Sequence, residues 1–70
     1  MPNITVSFAE GRTYEQKKQM AKEITEVMVR HANVTPERVA VYFHDMKKED
    51  MARGGIMRPE QEALDAAKGK

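Results

Sequence analysis

The chain has 70 residues, with 12 Lys and Arg against 11 Asp and Glu, a net charge of +1 and no cysteine. One small domain, 1–70, of this size buries only about 60% of the surface its unfolded chain exposes, and with no disulfide and two histidines at no ligand spacing, self-assembly is the remaining common staple. Balanced, scattered charge argues against nucleic-acid binding, short apolar runs against a membrane span, and the start of the chain against a signal peptide, so a cysteine-free cytoplasmic protein is expected.

Pro2 follows Met1 and is small enough for the initiator to be trimmed, which would expose a secondary amine at the terminus. A free α-amino group titrates near pH 7.7–8.0 in peptides, and burial or a nearby arginine disfavours its charged form, the direction a general base needs. Ile4, Val6 and Phe8 alternate with Asn3, Thr5 and Ser7, which predicts a half-buried strand over 3–9. Glu10-Gly11-Arg12 breaks the alternation, and Thr13 with Gln16 three residues on reads as a capping box for a helix.

From Tyr14 to Ala32 the period becomes helical, with Met20, Ile24, Val27 and Met28 forming one apolar stripe. Arg30 and His31 suit its last turn and Asn33 its left-handed end. Val39, Val41 and Phe43 alternate with Ala40, Tyr42 and His44 as a second strand. The order strand–helix–strand calls for parallel pairing through a right-handed crossover.

Asp45 to Asp50 reads as a charged loop, and Met51 to Met57 as a small hairpin turning on Gly54-Gly55. Arg58-Pro59-Glu60 starts a short C-terminal helix whose apolar side is Ala63, Leu64 and Ala67. The fold class is therefore α+β: a single βαβ protomer with a parallel two-stranded sheet and a small C-terminal hairpin. Two strands leave both edges open and make no stable layer alone, so the sheets are expected to be completed by oligomerisation.

Arg12 closes the first strand near the positive end of a helix dipole, a fitting seat for a carboxylate. Met1-Pro2, the alternating strand, Glu10-Gly11-Arg12-Thr13 with Glu15-Gln16-Lys17 behind it, the second strand to Met46 and Gly54-Gly55 together resemble the 4-oxalocrotonate tautomerase family. The resemblance covers residues 2–57 and leaves 58–70 as a less typical tail. It implies a homohexamer (a trimer of dimers) with sites at subunit contacts and no metal or organic cofactor. It also implies enol–keto tautomerisation of a small 2-oxo carboxylic acid, with Pro2 as acid/base once Met1 is removed and Arg12 on the substrate carboxylate.

The archetype's second arginine falls on Ala40, with Arg38 and Arg53 as the nearby substitutes, and its aromatic wall residue falls on Met51. Those departures leave the substrate open, with a smaller or monocarboxylate enol as one choice. The same proline, if charged, suits a hydratase, dehalogenase or decarboxylase. A chain that keeps Met1 would instead be a non-catalytic assembly module. His31 and His44 match no metal motif and read as a helix-end charge and a surface residue.

Overall fold

A computed structural model describes residues 1–69. Strand β1 (Asn3–Ala9) leads into helix α1 (Tyr14–Ala32) and a one-turn 3-10 segment (Pro36–Arg38), followed by strand β2 (Ala40–Met46) and a second 3-10 turn (Lys48–Asp50). Strands β3 (Ala52–Arg53) and β4 (Ile56–Met57) form the hairpin, and helix α2 (Arg58–Lys68) follows it directly.

The expected capping box starts α1: Gln16 N–H donates to Thr13 Oγ1 at 3.1 Å, and Thr13 N–H donates to Gln16 Oε1 at 2.8 Å. Two of the donors orphaned at a helix start are thereby satisfied. Asn33 ends the helix in the left-handed region at φ 56°, ψ 48°. The apolar stripe holds at Met20, Ile24 and Met28, which are half-buried. Val27 is corrected: it lies at the stripe's edge and is 45% exposed, while Val29 at the opposite edge is half-buried.

β1 and β2 pair in parallel, from Asn3↔Ala40 to Ala9↔Met46. The register places Ile4 beside Val41 and Val6 beside Phe43, and the Phe8 and Phe43 rings stack at 6.1 Å. β2 therefore runs one residue later at its start and two later at its end than the alternation alone suggests. Val39 is spent closing the 3-10 turn, where its N–H donates to the Pro36 carbonyl at 3.1 Å. Asp45 and Met46 leave the predicted loop for the strand because β1 continues beside them, and Lys17 of α1 pairs with the Asp45 carboxylate.

The hairpin turns where expected, with Gly54 (φ 61°) and Gly55 (φ 81°) both at positive φ. Two consecutive positive values are the geometry of a two-residue type I′ connection, which side chains beyond glycine and asparagine resist. α2 packs chiefly on the hairpin and on the Lys48–Asp50 turn.

None of the described residues is buried. The radius of gyration is 16.5 Å, against about 11 Å for a compact 70-residue domain. The protomer exposes 5663 Å², roughly 1,200 Å² more than a folded monomer of its mass is expected to show. The α1 face of the sheet is half covered, but Tyr42 and His44 stand exposed on the other face, Tyr42 at 54%. A lone protomer thus lacks the enclosed apolar core that offsets chain entropy.

Candidate active site

Pro2 is half-buried in the extended segment that enters β1, and its carbonyl accepts the Ala40 N–H at 3.0 Å. The first backbone bond of the sheet therefore holds this residue from its carbonyl side and leaves the nitrogen side free of the ladder. Met1 is 82% exposed, so the Met1–Pro2 bond sits at an open end of the fold. With Met1 attached the Pro2 nitrogen is an amide and has no basic lone pair.

Arg12 lies past the other end of β1, after Gly11 (φ 129°) and before the Thr13 cap. Its Nη1 donates to the Ala9 carbonyl at 3.0 Å, and its Cζ stands 4.8 Å above the Phe8 ring. These contacts fix the guanidinium plane while using one of its five N–H donors. The remaining donors can meet a carboxylate in the bidentate geometry that arginine favours.

The two residues are far apart within one protomer. Seven strand residues span about 23 Å at 3.3 Å each, and the Arg12 side chain folds onto β1's last turn of residues rather than back along the strand. Parallel pairing puts Ala40 at Pro2's end of the sheet and Met46 at Arg12's end. Arg38 is at Pro2's end too, but as the exposed last residue of a 3-10 turn. It has not entered the strand and does not share the face of Ala40.

Met51 and Arg53 are brought together elsewhere. They line a cleft of about 300 Å³ between the hairpin and α2, with Ile56 beside them and Arg58, Glu62 and Asp65 opposite. That volume sits at the small end of the range for ligand sites. Among the described residues Arg53 makes no ion pair, whereas Arg58 Nε donates to Glu62 at 3.1 Å and Lys48 Nζ reaches the same carboxylate at 3.3 Å. Lys48 and then Arg58 hold the Glu62 carboxyl below its ordinary value of 4.5 by stabilising the charged form. Gln61 Nε2 donates to Asp65 at 3.0 Å along the same side of the helix.

Arg58, Glu62 and Asp65 were not nominated by sequence reasoning. Their signal was the i, i+4 spacing of Arg58 with Glu62 and of Gln61 with Asp65, which aligns a polar side on one helix face. Among the described residues no three His, Cys, Asp or Glu side chains gather into a group able to hold a metal ion. No described helix is long and apolar enough to cross a membrane.

Residues 2–58 match the tautomerase enzyme family. A probable tautomerase of Listeria monocytogenes is 40% identical over 58 residues, covering 83% of this chain and 95% of that protein. One from Streptococcus pyogenes is 46% identical over the same shares. Among solved structures, a 4-oxalocrotonate tautomerase isozyme of Methylibium petroleiphilum superposes with a TM-score of 0.84 at 32% identity, covering 90% of this chain and 98% of that one. The parallel βαβ unit, the glycine-turned hairpin and these matches agree: the chain belongs to the tautomerase family.

Proposed function

We propose that the protein is a cytoplasmic enol–keto tautomerase acting on a small 2-oxo carboxylic acid, with Pro2 as the general acid/base after Met1 is removed. The observation that carries this reading is the anchored, half-buried Pro2 beside a freely exposed Met1, in a chain of this family. Removal of Met1 frees a rigid secondary amine whose position is already held by the Ala40 N–H. The neutral amine takes the proton of an enol hydroxyl and returns one to the carbon end of the enol, leaving the ketone and the neutral amine. No redox change or co-reactant enters this balance.

Arg12 binds the substrate carboxylate, and Met51 supplies an apolar wall that can adapt its shape. Arg53 is the substitute favoured for the second arginine, because it lines the cleft with Met51 and lacks an internal ion-pair partner among the described residues. Arg38 is the less favoured one.

Because β1 separates Pro2 from Arg12, the reading requires at least two protomers. The outer edge of β1 is open, and an antiparallel two-fold pairing of β1 with its copy would bring Pro2 of one protomer toward Arg12 of the other. Three such pairs make the hexamer.

The test is the intact mass of protein from its native host, followed by an enol–keto assay over a panel of 2-oxo acids. Loss of Met1 and loss of most activity in Pro2→Ala are expected. A mature chain that keeps Met1, or a Pro2→Ala protein with full activity, would overturn the proposal.

A further inference from the structure

We infer that Lys17 is a positioning residue for Arg12: its pair with Asp45 keeps that carboxylate off the guanidinium and leaves Arg12 open to a substrate carboxylate. The inference rests on the proposed role of Arg12 and adds the two charges that govern its availability.

Arg12 has a competitor for its donors built into the sheet. Its Cζ stands 4.8 Å from the centre of the Phe8 ring, and Asp45 is the register partner of Phe8 on β2. Side chains two apart on a strand share a face. Asp45 follows Phe43 by two positions, and the Phe43 ring stacks on Phe8 at 6.1 Å. Asp45 therefore lies on the face of the sheet that carries Phe8. The guanidinium and the carboxylate are both neighbours of one residue, and opposite charges attract over a range of roughly 8 Å at physiological ionic strength. A carboxylate is also the group that the planar fork of arginine fits best.

Yet the two do not pair. Asp45 takes Lys17 from α1, and among the described residues Arg12 makes no ion pair. Its internal acceptor is the neutral Ala9 carbonyl. Glu10 and Glu15, which flank it in sequence, form no ion pair with it either. The start of α1 sets this division. Thr13, the cap next to Arg12, accepts the Lys17 N–H on its carbonyl at 3.1 Å. One turn into the helix, Lys17 then lines the groove between α1 and β2 beside Phe43. An ammonium on a flexible stem can satisfy a carboxylate from many directions, so Lys17 occupies Asp45 while the fork of Arg12 stays unspent. A partly exposed pair of this kind adds little to stability. What it sets is where the negative charge sits.

Lys17→Met keeps the apolar stem and removes the charge, so Asp45 is released to take Arg12. Apparent affinity then falls by the fraction of Arg12 left open. In protein lacking Met1, KM for the 2-oxo acid turned over best in the panel is expected to rise about fivefold, the scale of one exposed ion pair. The KM of its methyl ester, and kcat for both, should stay within about twofold of wild type. Asp45→Asn alone should lie near wild type. Adding Asp45→Asn to Lys17→Met should bring KM for the acid back to within about twofold, a rescue that a lost structural contact would not show. In the free protein, the NMR resonance of the Arg12 Nε–H should shift in Lys17→Met and return in the double variant.

An unchanged KM in Lys17→Met, or a rise that Asp45→Asn fails to reverse, would overturn the inference. If Arg12→Ala still weakens the acid selectively, the proposed function stands without it. An Arg12→Ala protein that penalises acid and ester equally would instead remove the carboxylate role of Arg12, and this inference with it.

Discussion

The Ala40 N–H donates to the Pro2 carbonyl at 3.0 Å, so the residue that enters the first strand is held by the residue that opens the second. Thirty-seven intervening positions, including all of α1, must be in place before Pro2 is fixed. Its position is a product of the parallel register, and the chemistry proposed for its nitrogen depends on that register.

Ala40→Pro removes the donor and leaves the Pro2 carbonyl without its partner. The lost bond is expected to cost about 0.5–1.5 kcal/mol, read as a lower denaturant midpoint at fixed protein concentration. Tautomerase activity should fall further than stability does, because the amine loses its anchor. Equal small losses in both would argue that the anchor is irrelevant to chemistry.

Arg12→Ala should raise KM for a 2-oxo carboxylate by roughly 10- to 100-fold, since hydrogen bonds to a charged group contribute about 1.5–3 kcal/mol. Arg12→Lys should recover only part of it, because an ammonium keeps the charge and loses the planar fork. Steady-state kinetics with the acid and its methyl ester separate the two effects. The ester's response to either change should be small, and an equal penalty for acid and ester would detach Arg12 from the carboxylate.

Arg53→Ala and Arg38→Ala discriminate the two substitutes for the missing arginine. Arg53 lines the cleft with Met51, and Arg38 stands exposed at the end of a 3-10 turn. Removing Arg53 should raise KM about tenfold, the scale of one screened charge-assisted contact, with Arg38→Ala near wild type. The opposite ranking would shift the assignment to Arg38.

Thr13→Ala deletes the hydroxyl half of the capping box at the start of α1. Loss of such a cap costs about 0.5–2 kcal/mol, which in a domain this small lowers the melting temperature by about 4–8 °C per kcal/mol. Thermal melts must be compared at one protein concentration, because any self-assembly would make the midpoint concentration-dependent. A melting curve indistinguishable from wild type would show that the cap is dispensable.

Glu62 is expected to make the attachment of α2 depend on pH. Its folded-state pKa lies below the ordinary 4.5 because Lys48 and Arg58 favour the carboxylate. A depressed folded value means the contribution is fully present above the unfolded pKa and is lost as pH falls through the folded one. Protection of α2 amides from hydrogen exchange, corrected for the intrinsic rate, should stay level from neutrality to about pH 5 and fall below pH 4.5. Glu62→Gln should flatten that fall, and an unaltered acid limb in this variant would point to another group.

The features legible in the sequence were those set by neighbours a few positions apart. Alternation of Ile4, Val6 and Phe8, the Thr13–Gln16 box, the left-handed Asn33 and the Gly54-Gly55 turn each answer a local backbone demand, and each stands where the residues indicated. The family signature belongs with them, because Pro2, Gly11-Arg12 and the glycine pair are short motifs in a fixed order.

Tertiary structure decided the rest, through contacts that close long loops. Asp45 and Met46 joined β2 because β1 extends beside them and Lys17 neutralises a charge that in isolation reads as loop. The separation of Pro2 from Arg12 follows from an extended strand lying between them, and the gathering of Met51 and Arg53 with Arg58 follows from which side α2 turns inward. Sequence periodicity identifies a helix's polar and apolar sides but not which one faces the protein. In a chain where no described residue is buried, that choice goes with the ion pairs that Glu62 makes with Lys48 and Arg58.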